Sequence, residues 1–400
     1  MPENIVPYVG PRPFERSEGR VFFGREKEIH QIVNLIYANS IVVFYSKSGL
    51  GKSSILDAGV IPRLVSEDIE VLDPVRIAGQ IPQDIKANEV QNIYIFNTIS
   101  NWAKAEAVPR QLGKETLAVY LNERAHMLDD LGQPLARVII FDQFEELFIQ
   151  YPEFWKEREE FFKQIQEALD QDHLLRIVFS LREDYLGVME PYIALLRSKL
   201  QARCRLEGMN REVALAAVKY PLQVAGIVFE EGVAEMIVDN LLKVRYQTPE
   251  GNYGETLGQF IEPVQLQVVC RNLWGSLPPD TIAITQEYLN NSGVVGQSLS
   301  HLYEETIMRT IGETGIDERV LREWFEKSLI TPAKTRGTVY RGSDETGGIP
   351  NNVIDLLENL HIIRAEFRAG SRWYELAHDT FIDPILESNR TWLTRPRNSF

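Results

Sequence analysis

The feature that most constrains this chain is a loop rich in glycine, serine and lysine that directly follows a short apolar run. Ile41-Val-Val-Phe-Tyr45 is wholly apolar, and Ser46-Lys-Ser-Gly-Leu-Gly-Lys-Ser-Ser54 comes next. Such a run is typical of a strand buried on both faces of a parallel sheet. A loop of this composition before a helix binds phosphate, because backbone N–H groups and the helix dipole face the anion. The pattern predicts a nucleoside triphosphate as the ligand.

Each residue of the loop has a predicted contact with the nucleotide. Lys52 is expected to neutralise the β- and γ-phosphates, and the Ser53 hydroxyl to hold Mg²⁺. The two glycines let the backbone approach the phosphates without a Cβ in the way. The predicted binding residues are Ser48, Gly49, Leu50, Gly51, Lys52, Ser53 and Ser54.

One position of the loop departs from the usual pattern. Loops of this kind begin with a glycine, and Ser46 holds that place here. Serine visits positive φ reluctantly. A strand, a glycine turn and a helix without any ligand therefore stay open as the alternative, although the helix predicted directly after the loop favours phosphate binding.

Length, charge and cysteine content narrow the class of protein. The chain has 400 residues, too many for one ordinary core, so roughly two or three domains are expected. No apolar run reaches the roughly 20 residues that span a bilayer, and no signal peptide pattern begins the sequence, so we expect no membrane partner and a cytoplasmic location. The net charge of −15 argues against general binding to nucleic acid. Cys204 and Cys270 lie far apart and indicate reduced thiols.

Strand and helix patterns alternate over the first half of the chain. Apolar runs predict strands at 41–45, 70–77, 137–142, 174–181 and 203–207, and a 3.6-residue period predicts helices at 26–37, 53–64, 87–105, 114–129 and 152–170. This alternation implies an α/β fold, a parallel P-loop NTPase sheet flanked by helices. The predicted P-loop domain is 21–208, after an extended segment at 1–20 that is rich in proline and glycine.

The strand signal disappears after residue 208. Predicted helices at 210–219, 231–244 and 261–274, with a polar loop at 248–258, indicate a helical domain over 209–312. A helix at 320–329, a strand near 338–341, a helix at 351–360 and a hairpin of 362–367 with 373–376 then follow. That is the order of a winged helix, so the last predicted domain is a winged-helix domain at 313–400.

A second set of polar residues follows the strand at 137–142. Asp142 ends that strand, where a carboxylate can hold Mg²⁺ beside Ser53, directly or through water. Most P-loop ATPases place glutamate next to orient the attacking water, but this chain has Gln143. Glu145 and Glu146 are both candidates for the hydrolytic base, and the sequence does not separate them. A helix start with acidic residues near its N-terminus is the alternative.

Four residues elsewhere are candidate contacts to the nucleotide. Arg182 follows the strand at 174–181 and is expected to read the γ-phosphate, unless it pairs with its acidic neighbours. Arg25 precedes the first helix and is a weak candidate to pack beside the purine and ribose. Pro221 either closes over the base or ends a helix. His378 opens the last helix.

As an ordered set, these motifs resemble the STAND NTPases, and more closely the novel STAND NTPase family. The motifs are Pro7-Tyr-Val-Gly-Pro-Arg-Pro-Phe14, Phe22-Phe-Gly-Arg-Glu26, Ser48-Gly-Leu-Gly-Lys-Ser-Ser-Ile-Leu56, Asp142-Gln-Phe-Glu-Glu-Leu-Phe148, Leu181-Arg-Glu-Asp-Tyr185 and Glu375-Leu-Ala-His-Asp379. The resemblance implies a P-loop sheet, a helical domain and a winged helix that closes over ATP or ADP with Mg²⁺. Ala377-His378-Asp379 is similar to the Met-His-Asp motif of the related NB-ARC ATPases, which implies that His378 contacts the β-phosphate of ADP.

The resemblance also implies that the chain acts as a signalling switch. A role in antiviral defence is implied only by analogy with other members of the family. ADP would stabilise a closed monomer, ATP an open form that self-associates, and slow ATP hydrolysis would reset the switch. Effector and sensor modules are expected on other chains or outside this sequence.

Two other readings of the sequence stay open. One is a DNA-binding, initiator-type ATPase, in which arginines at 364, 368 and 372 of the predicted wing would contact phosphate, although Asp355 and Glu358 on the preceding helix oppose it. The other is a catalytically inactive, nucleotide-free scaffold, with Ser46 and Gln143 as signs of decay.

Overall fold

The computed structural model describes residues 5–78, 89–103, 109–149, 151–247, 253–292, 294–332, 334, 336–360, 362–368, 371–377 and 381–394. The chain divides into two units, Phe14–Gly208 and Met1–Pro13 with Met209–Phe400.

A parallel sheet organises the unit Phe14–Gly208. Its strands are β1 (Ile41–Ser46), β2 (Glu70–Val71), β3 (Arg137–Phe141), β4 (Leu175–Arg182) and β5 (Arg203–Arg205). They pair in the order β2-β3-β4-β1-β5, each pair parallel. The α/β fold predicted from the sequence is therefore confirmed. Because β4 lies between β1 and β3, the ends of these strands bring the phosphate loop, Asp142 and Arg182 to one edge of the sheet.

Helices cover both faces of this sheet. They are α1 (Glu26–Ala38), α2 (Lys52–Ile55), α3 (Ile61–Ser66), α4 (Ile93–Trp102), α5 (Pro109–Leu112), α6 (Leu117–Glu123), α7 (Glu146–Ile149), α8 (Glu157–Gln171) and α9 (Leu186–Ile193). One buried cluster joins strand residues to α1, among them Val42, Val138, Val178, Ile32 and Ile36. On the alternate strand positions, Phe141 and Phe179 contact the rings of Phe161 and Phe162 on α8. Period-2 alternation along each strand thus separates the two layers of the core.

Local differences from the predicted elements have identifiable causes. The helix expected at 114–129 ends at Glu123, because the following residues form a loop with a bridge between Leu128 and Pro134. The strand expected at 70–77 is reduced to β2 and an isolated bridge from Val75 to Phe141. The segment predicted as extended at 1–20 contains a short 3-10 helix, Arg16–Val21.

Helices predominate in the second unit, but strands occur as well. The helices up to residue 314 are α10 (Arg211–Val224), α11 (Val233–Leu241), α12 (Pro263–Ser276), α13 (Gln286–Ser292) and α14 (Val294–Thr314). The strands are β6 (Val228–Phe229), β7 (Lys243–Gln247), β8 (Tyr253–Leu257) and β9 (Ala283–Ile284). The prediction that 209–312 contains helices and a polar loop but no strands was wrong. β7 and β8 pair antiparallel where a helix end and a polar loop were expected, and β6 pairs with β9.

Helices and a small sheet alternate toward the C-terminus. After α14 come α15 (Glu318–Ser328), β10 (Val339–Tyr340), β11 (Glu345–Thr346), β12 (Ile349–Pro350), α16 (Asn351–Asn359), β13 (Ile363–Arg368), β14 (Ser371–Leu376) and α17 (Ile382–Thr394). β10, β14 and β13 pair in that order, and β13 and β14 form an antiparallel hairpin. A buried cluster that includes Tyr303, Phe325, Leu357 and Tyr374 holds these elements together.

The segment before Pro13 packs with this second unit. The Tyr8 hydroxyl donates to the carbonyl of Val218, and Tyr8 is fully buried. The backbone of Val9 donates to Gln267 Oε1 at 3.2 Å and accepts from Arg271 Nη1 at 2.9 Å. The motif around Pro7 is therefore held by α10 and α12.

In the described part of the chain, no helix combines the length and the apolar character needed to cross a membrane. Both cysteines are buried and unbonded to each other, as the sequence predicts.

Candidate functional site

The phosphate loop has the backbone that its glycines predict. β1 ends at Ser46, and α2 begins at Lys52. Gly49 has φ 79° and Gly51 has φ 91°, and a Cβ on Gly49 would meet no atom within 4 Å. The left-handed backbone, rather than crowding, is what requires glycine at Gly49. The loop residues Ser48 and Leu50 are partly buried, and Leu50 packs on the core below α2.

Ser46 is compatible with this loop. It is fully buried at the end of β1 and is absent from the described non-glycine residues with positive φ. Its hydroxyl donates to the carbonyl of Lys47 at 2.6 Å and accepts from Lys52 Nζ at 3.1 Å. The strain that the sequence suggested at this position therefore does not arise. The side chain that replaces glycine is a hydrogen-bond partner of the loop lysine.

Asp142 lies directly beside the helix that follows the loop. Its Oδ2 accepts from the Ser53 hydroxyl at 2.6 Å, and its Oδ1 accepts from the Ser180 hydroxyl at 2.8 Å. Asp142 is 8% exposed. A carboxylate and a hydroxyl in contact are hard oxygen ligands that suit Mg²⁺, which retains waters and phosphate oxygens in its other positions. These two side chains therefore fit the ion that the phosphate loop implies.

Electrostatics couple the loop lysine to the acidic residues around it. Burial lowers the pKa of Lys52, while the charges of Glu145 and Asp142 oppose that shift. Burial raises the pKa of Glu145, and Lys52 opposes it. Lys52 is partly buried, and its ammonium lies near two carboxylates whose charge is of the same sign as that of phosphate oxygens.

The structure separates the two candidate glutamates. Glu145 Oε2 accepts from the backbone N–H of Arg182 at 3.2 Å, on the same side as Lys52. Glu146 Oε2 accepts instead from the backbone N–H of Ala78 at 3.1 Å, and burial raises its pKa. Glu145 is thus tied to the strand end that carries Arg182, whereas Glu146 begins α7 and is tied to the chain after β2. Their roles in hydrolysis stay predictions.

A residue with left-handed backbone precedes the two glutamates. Gln143 has φ 54°, and the N–H of Glu146 donates to its carbonyl at 3.0 Å. Non-glycine residues adopt this conformation at a cost of about 1–3 kcal/mol, and such residues concentrate at functional sites. The turn at Gln143 therefore lies between Asp142 and the two candidate glutamates, at the C-terminal end of β3.

Arg182 stands where β4 meets the phosphate loop. In the β1–β4 pairing it lies opposite Ser46. Its Nη2 donates to Asp184 Oδ2 at 2.8 Å, and its side chain is 12% exposed. The pairing with an acidic neighbour is therefore present in this structure. Because Asp184 is 59% exposed, the ion pair is weak and replaceable, so the prediction of γ-phosphate reading stays compatible with it.

The structure does not bring the remaining predicted contacts into this cluster. The Arg25 guanidinium is 2% exposed and donates to Glu28 Oε1 at 2.7 Å and to the carbonyl of Glu207 at 3.0 Å. Ser54 Oγ accepts from the backbone N–H of Phe14 at 3.1 Å. Both side chains stabilise the unit itself.

Two predicted residues lie outside the unit that contains the loop. Pro221 is buried within α10, which continues through it to Val224, so the predicted helix end at 219 was wrong. Proline is tolerated here within a helix that packs in the core of its own unit. His378 lies outside the described residues.

Sequence reasoning missed three polar residues of this site. Ser180 donates to Asp142 and is a lone hydroxyl within the apolar stretch 177–181. Asp57, in the π-helical turn Leu56–Val60 after α2, has a pKa raised by burial and by the charge of Asp142. Arg76 is exposed, and its positive charge opposes the rise in pKa that burial causes at both Asp57 and Glu146. The one available signal was a hydroxyl within an apolar strand, two residues before Arg182.

Several solved structures resemble this chain weakly. Among solved structures, the Walker-type ATPase PABY2304 of Pyrococcus abyssi is 15% identical with a TM-score of 0.44, covering 94% of this chain and 98% of its own. The Aeropyrum pernix ORC2 protein in ADPNP–ADP complexes is 14% identical with a TM-score of 0.44, covering 92% and 94%. The Aeropyrum pernix ORC1 protein in complex with DNA is 12% identical with a TM-score of 0.42, covering 94% of each.

Similarities this weak carry neither a ligand nor a function over to this chain. No curated protein sequence matches it. The family model described as Novel STAND NTPase 1 matches residues 7–395, which is nearly the whole chain. The chain therefore belongs to the Novel STAND NTPase 1 family of P-loop NTPases.

Proposed function

We propose that this chain is a nucleotide-controlled signalling switch that binds ATP and ADP with Mg²⁺. The observation that carries the proposal is the contact of Asp142 with Ser53, beside a loop whose partly buried lysine lies near Glu145 and Asp142. A carboxylate and a hydroxyl for Mg²⁺, with an ammonium for phosphate, are the groups that a nucleoside triphosphate needs. The choice of adenine over guanine follows from the family.

The residues at the strand ends have separate roles in this proposal. Lys52 binds the β- and γ-phosphates, and Ser53 and Asp142 hold Mg²⁺. Glu145 is the better placed of the two glutamates to orient water, since it is tied to the backbone of Arg182. Arg182 leaves Asp184 to meet the γ-phosphate. Hydrolysis is slow, because the position directly after Asp142 holds glutamine, which cannot accept the proton of water.

The C-terminal parts supply the switching element of this proposal. Residues 209–312 form a helical domain and residues 313–400 a winged-helix domain, after an N-terminal segment at 1–20 and the P-loop domain at 21–208. The order α15, β10, α16, β13 and β14 supports the winged-helix assignment. From the family resemblance, His378 contacts the β-phosphate of ADP in the closed form. This closed form is a monomer, and the protein is located in the cytoplasm.

ATP shifts the protein toward an open form that self-associates. A nucleotide shifts such an equilibrium only by its difference in affinity for the two forms, and coupling of about 1–3 kcal/mol is typical. Effector and sensor modules carry the signal, and antiviral defence is the setting that the family resemblance implies.

Nucleotide binding by matched lysine variants tests the site. The wild type and Lys47→Ala are expected to retain co-purifying ADP or ATP and to bind added nucleotide, because Lys47 is exposed in the same loop. Lys52→Ala is expected to lose both. A wild-type protein that carries no nucleotide and takes up none would favour the inactive scaffold and refute the proposal.

A second pair of variants tests the switch. His378→Ala is expected to weaken ADP affinity and to enlarge the oligomer measured by light scattering. His301→Ala, on the exposed side of α14, is the control and is expected to change neither. Unchanged ADP affinity and oligomer size in His378→Ala would contradict the assignment of this histidine.

Ion pairs weaken the case for DNA binding by the C-terminal hairpin. Arg364 pairs with Glu375, and Arg372 pairs with Glu358. The side chain of the arginine at 368 lies outside those described. Arginines that already face carboxylates contribute less to phosphate binding, because the acidic partner must first be displaced. We therefore propose no nucleic acid partner, and salt-dependent, tight binding to duplex DNA would show otherwise.

A further inference from the structure

A buried hydroxyl in the central sheet has an unusual position. Ser180 is 0% exposed within β4, and its neighbours Phe179 and Leu181 are equally buried. Buried polar groups are nearly always hydrogen-bonded, and each one in an apolar strand needs a reason. The partner of Ser180 is Asp142 Oδ1, at 2.8 Å.

The direction and geometry of this hydrogen bond are fixed. The Ser180 hydroxyl donates, and Oδ1 of Asp142 accepts. Phe141 pairs with Phe179 in the β3–β4 register, which places Ser180 beside Asp142. The N–H of Phe144 donates to the Ser180 carbonyl at 2.8 Å, so the chain on both sides of Asp142 is tied to β4.

The two oxygens of Asp142 have different partners. Oδ1 faces the fully buried Ser180, whereas Oδ2 faces Ser53 at the start of α2, where phosphate and Mg²⁺ are expected. A hydrogen bond from the core to one oxygen prevents the carboxylate from rotating. The other oxygen then loses less side-chain entropy when it binds a cation.

We propose that Ser180 is a positioning residue for the Mg²⁺ site. By holding Oδ1 of Asp142 it presents Oδ2, together with the Ser53 hydroxyl, to the Mg²⁺ of a bound nucleotide. This inference rests on the proposed function. Groups that orient a metal ligand from behind change metal affinity by about 10–100-fold when they are removed.

The test compares nucleotide binding with and without the cation. Titration calorimetry gives the affinity of wild type, Ser180→Ala and Ser180→Thr for ADP, in Mg²⁺ and in EDTA. In EDTA, the ADP affinity of Ser180→Ala is expected to lie within about twofold of that of the wild type. The factor by which Mg²⁺ increases ADP affinity is expected to be at least about tenfold smaller in Ser180→Ala than in the wild type. Ser180→Thr keeps the hydroxyl and is expected to restore most of that gain. Ser66→Ala, exposed at the end of α3, is the control.

The possible outcomes separate this inference from the proposed function. If Mg²⁺ increases the ADP affinity of Ser180→Ala as much as that of the wild type, the role of Ser180 is overturned and nucleotide binding stays intact. Equal losses of affinity in Mg²⁺ and EDTA also overturn it, because they indicate a general structural defect. Absence of ADP binding by the wild type in either condition refutes the proposed function itself. Electron paramagnetic resonance of bound Mn²⁺ gives an independent measure of cation affinity in the same variants.

Discussion

A buried ion pair at the start of β3 provides a quantitative test of how this sheet is stabilised. Arg137 begins β3, which ends next to Asp142, and the arginine is 0% exposed. Its Nε donates to Glu70 Oε2 at 2.9 Å, and Glu70 is 7% exposed. The guanidinium also donates to the carbonyl of Leu121 within α6 at 3.2 Å and to that of Arg124, directly after α6, at 2.9 Å. One side chain therefore joins β2, β3 and the end of a helix.

Removal of the arginine is expected to be costly. Arg137→Ala leaves the Glu70 carboxylate buried without its cation and leaves the helix-end carbonyls without a donor. Breaking a buried ion pair in this way costs about 3–5 kcal/mol. Because a domain has only about 5–15 kcal/mol of stability in total, this single change removes a large share of it. Replacing both partners by apolar residues, in Arg137→Met with Glu70→Leu, is expected to recover most of the loss, since such replacements are often neutral.

Hydrogen exchange measured by mass spectrometry is the appropriate assay, because it reports the opening free energy of peptides from β3 separately from the other unit. The single variant is expected to exchange faster by roughly two to four orders of magnitude, the ratio that about 3–5 kcal/mol implies. A loss below about 1 kcal/mol, or a double variant no better than the single one, would refute the argument that an unpaired buried charge dominates the cost.

Three further predictions concern single residues. Ser46→Gly is expected to leave ADP affinity unimproved, because Ser46 has no positive φ for glycine to relieve; a tenfold gain by calorimetry would contradict this. Burial raises the pKa of Glu145, so the folded state loses stability as the pH rises through that pKa. Glu145→Gln is therefore expected to raise the melting temperature at neutral pH but not near pH ~4, where the carboxyl is largely protonated. Equal gains in melting temperature at both pH values would count against this explanation. Gly10 has φ 84°, and its Cβ would lie 2.6 Å from Arg271 Cδ, so Gly10→Ala is expected to destabilise by about 1–3 kcal/mol in urea unfolding. Gly187→Ala, which has open space around it in α9, is the control and is expected to be neutral or stabilising by up to about 1 kcal/mol.

Local patterns predicted the phosphate loop and the strands that carry the site. The apolar runs before the loop and before Asp142 are strands, since burial on both faces of a parallel sheet leaves no polar position in them. The left-handed glycines Gly49 and Gly51 could also be predicted, because few other residues adopt that backbone. These features depend on residues close together in the sequence.

Other elements were mispredicted because distant contacts decide them. The helix α10 continues through Pro221 because packing against its own core outweighs the lost hydrogen bond. β7 and β8 lie in a stretch with weak strand signals, and pairing with each other satisfies their backbone groups. Neither effect is visible within a window of sequence.

The sequence by itself determined the phosphate loop, the α/β architecture and the candidates Lys52, Ser53 and Asp142, because a phosphate loop and its flanking strands are encoded within contiguous residues. Only the tertiary structure decided that Glu145 and Glu146 have different partners and that Ser180 holds Asp142. The physical reason is that these hydrogen bonds join residues on different strands and turns, and their geometry follows from the strand order rather than from spacing along the chain.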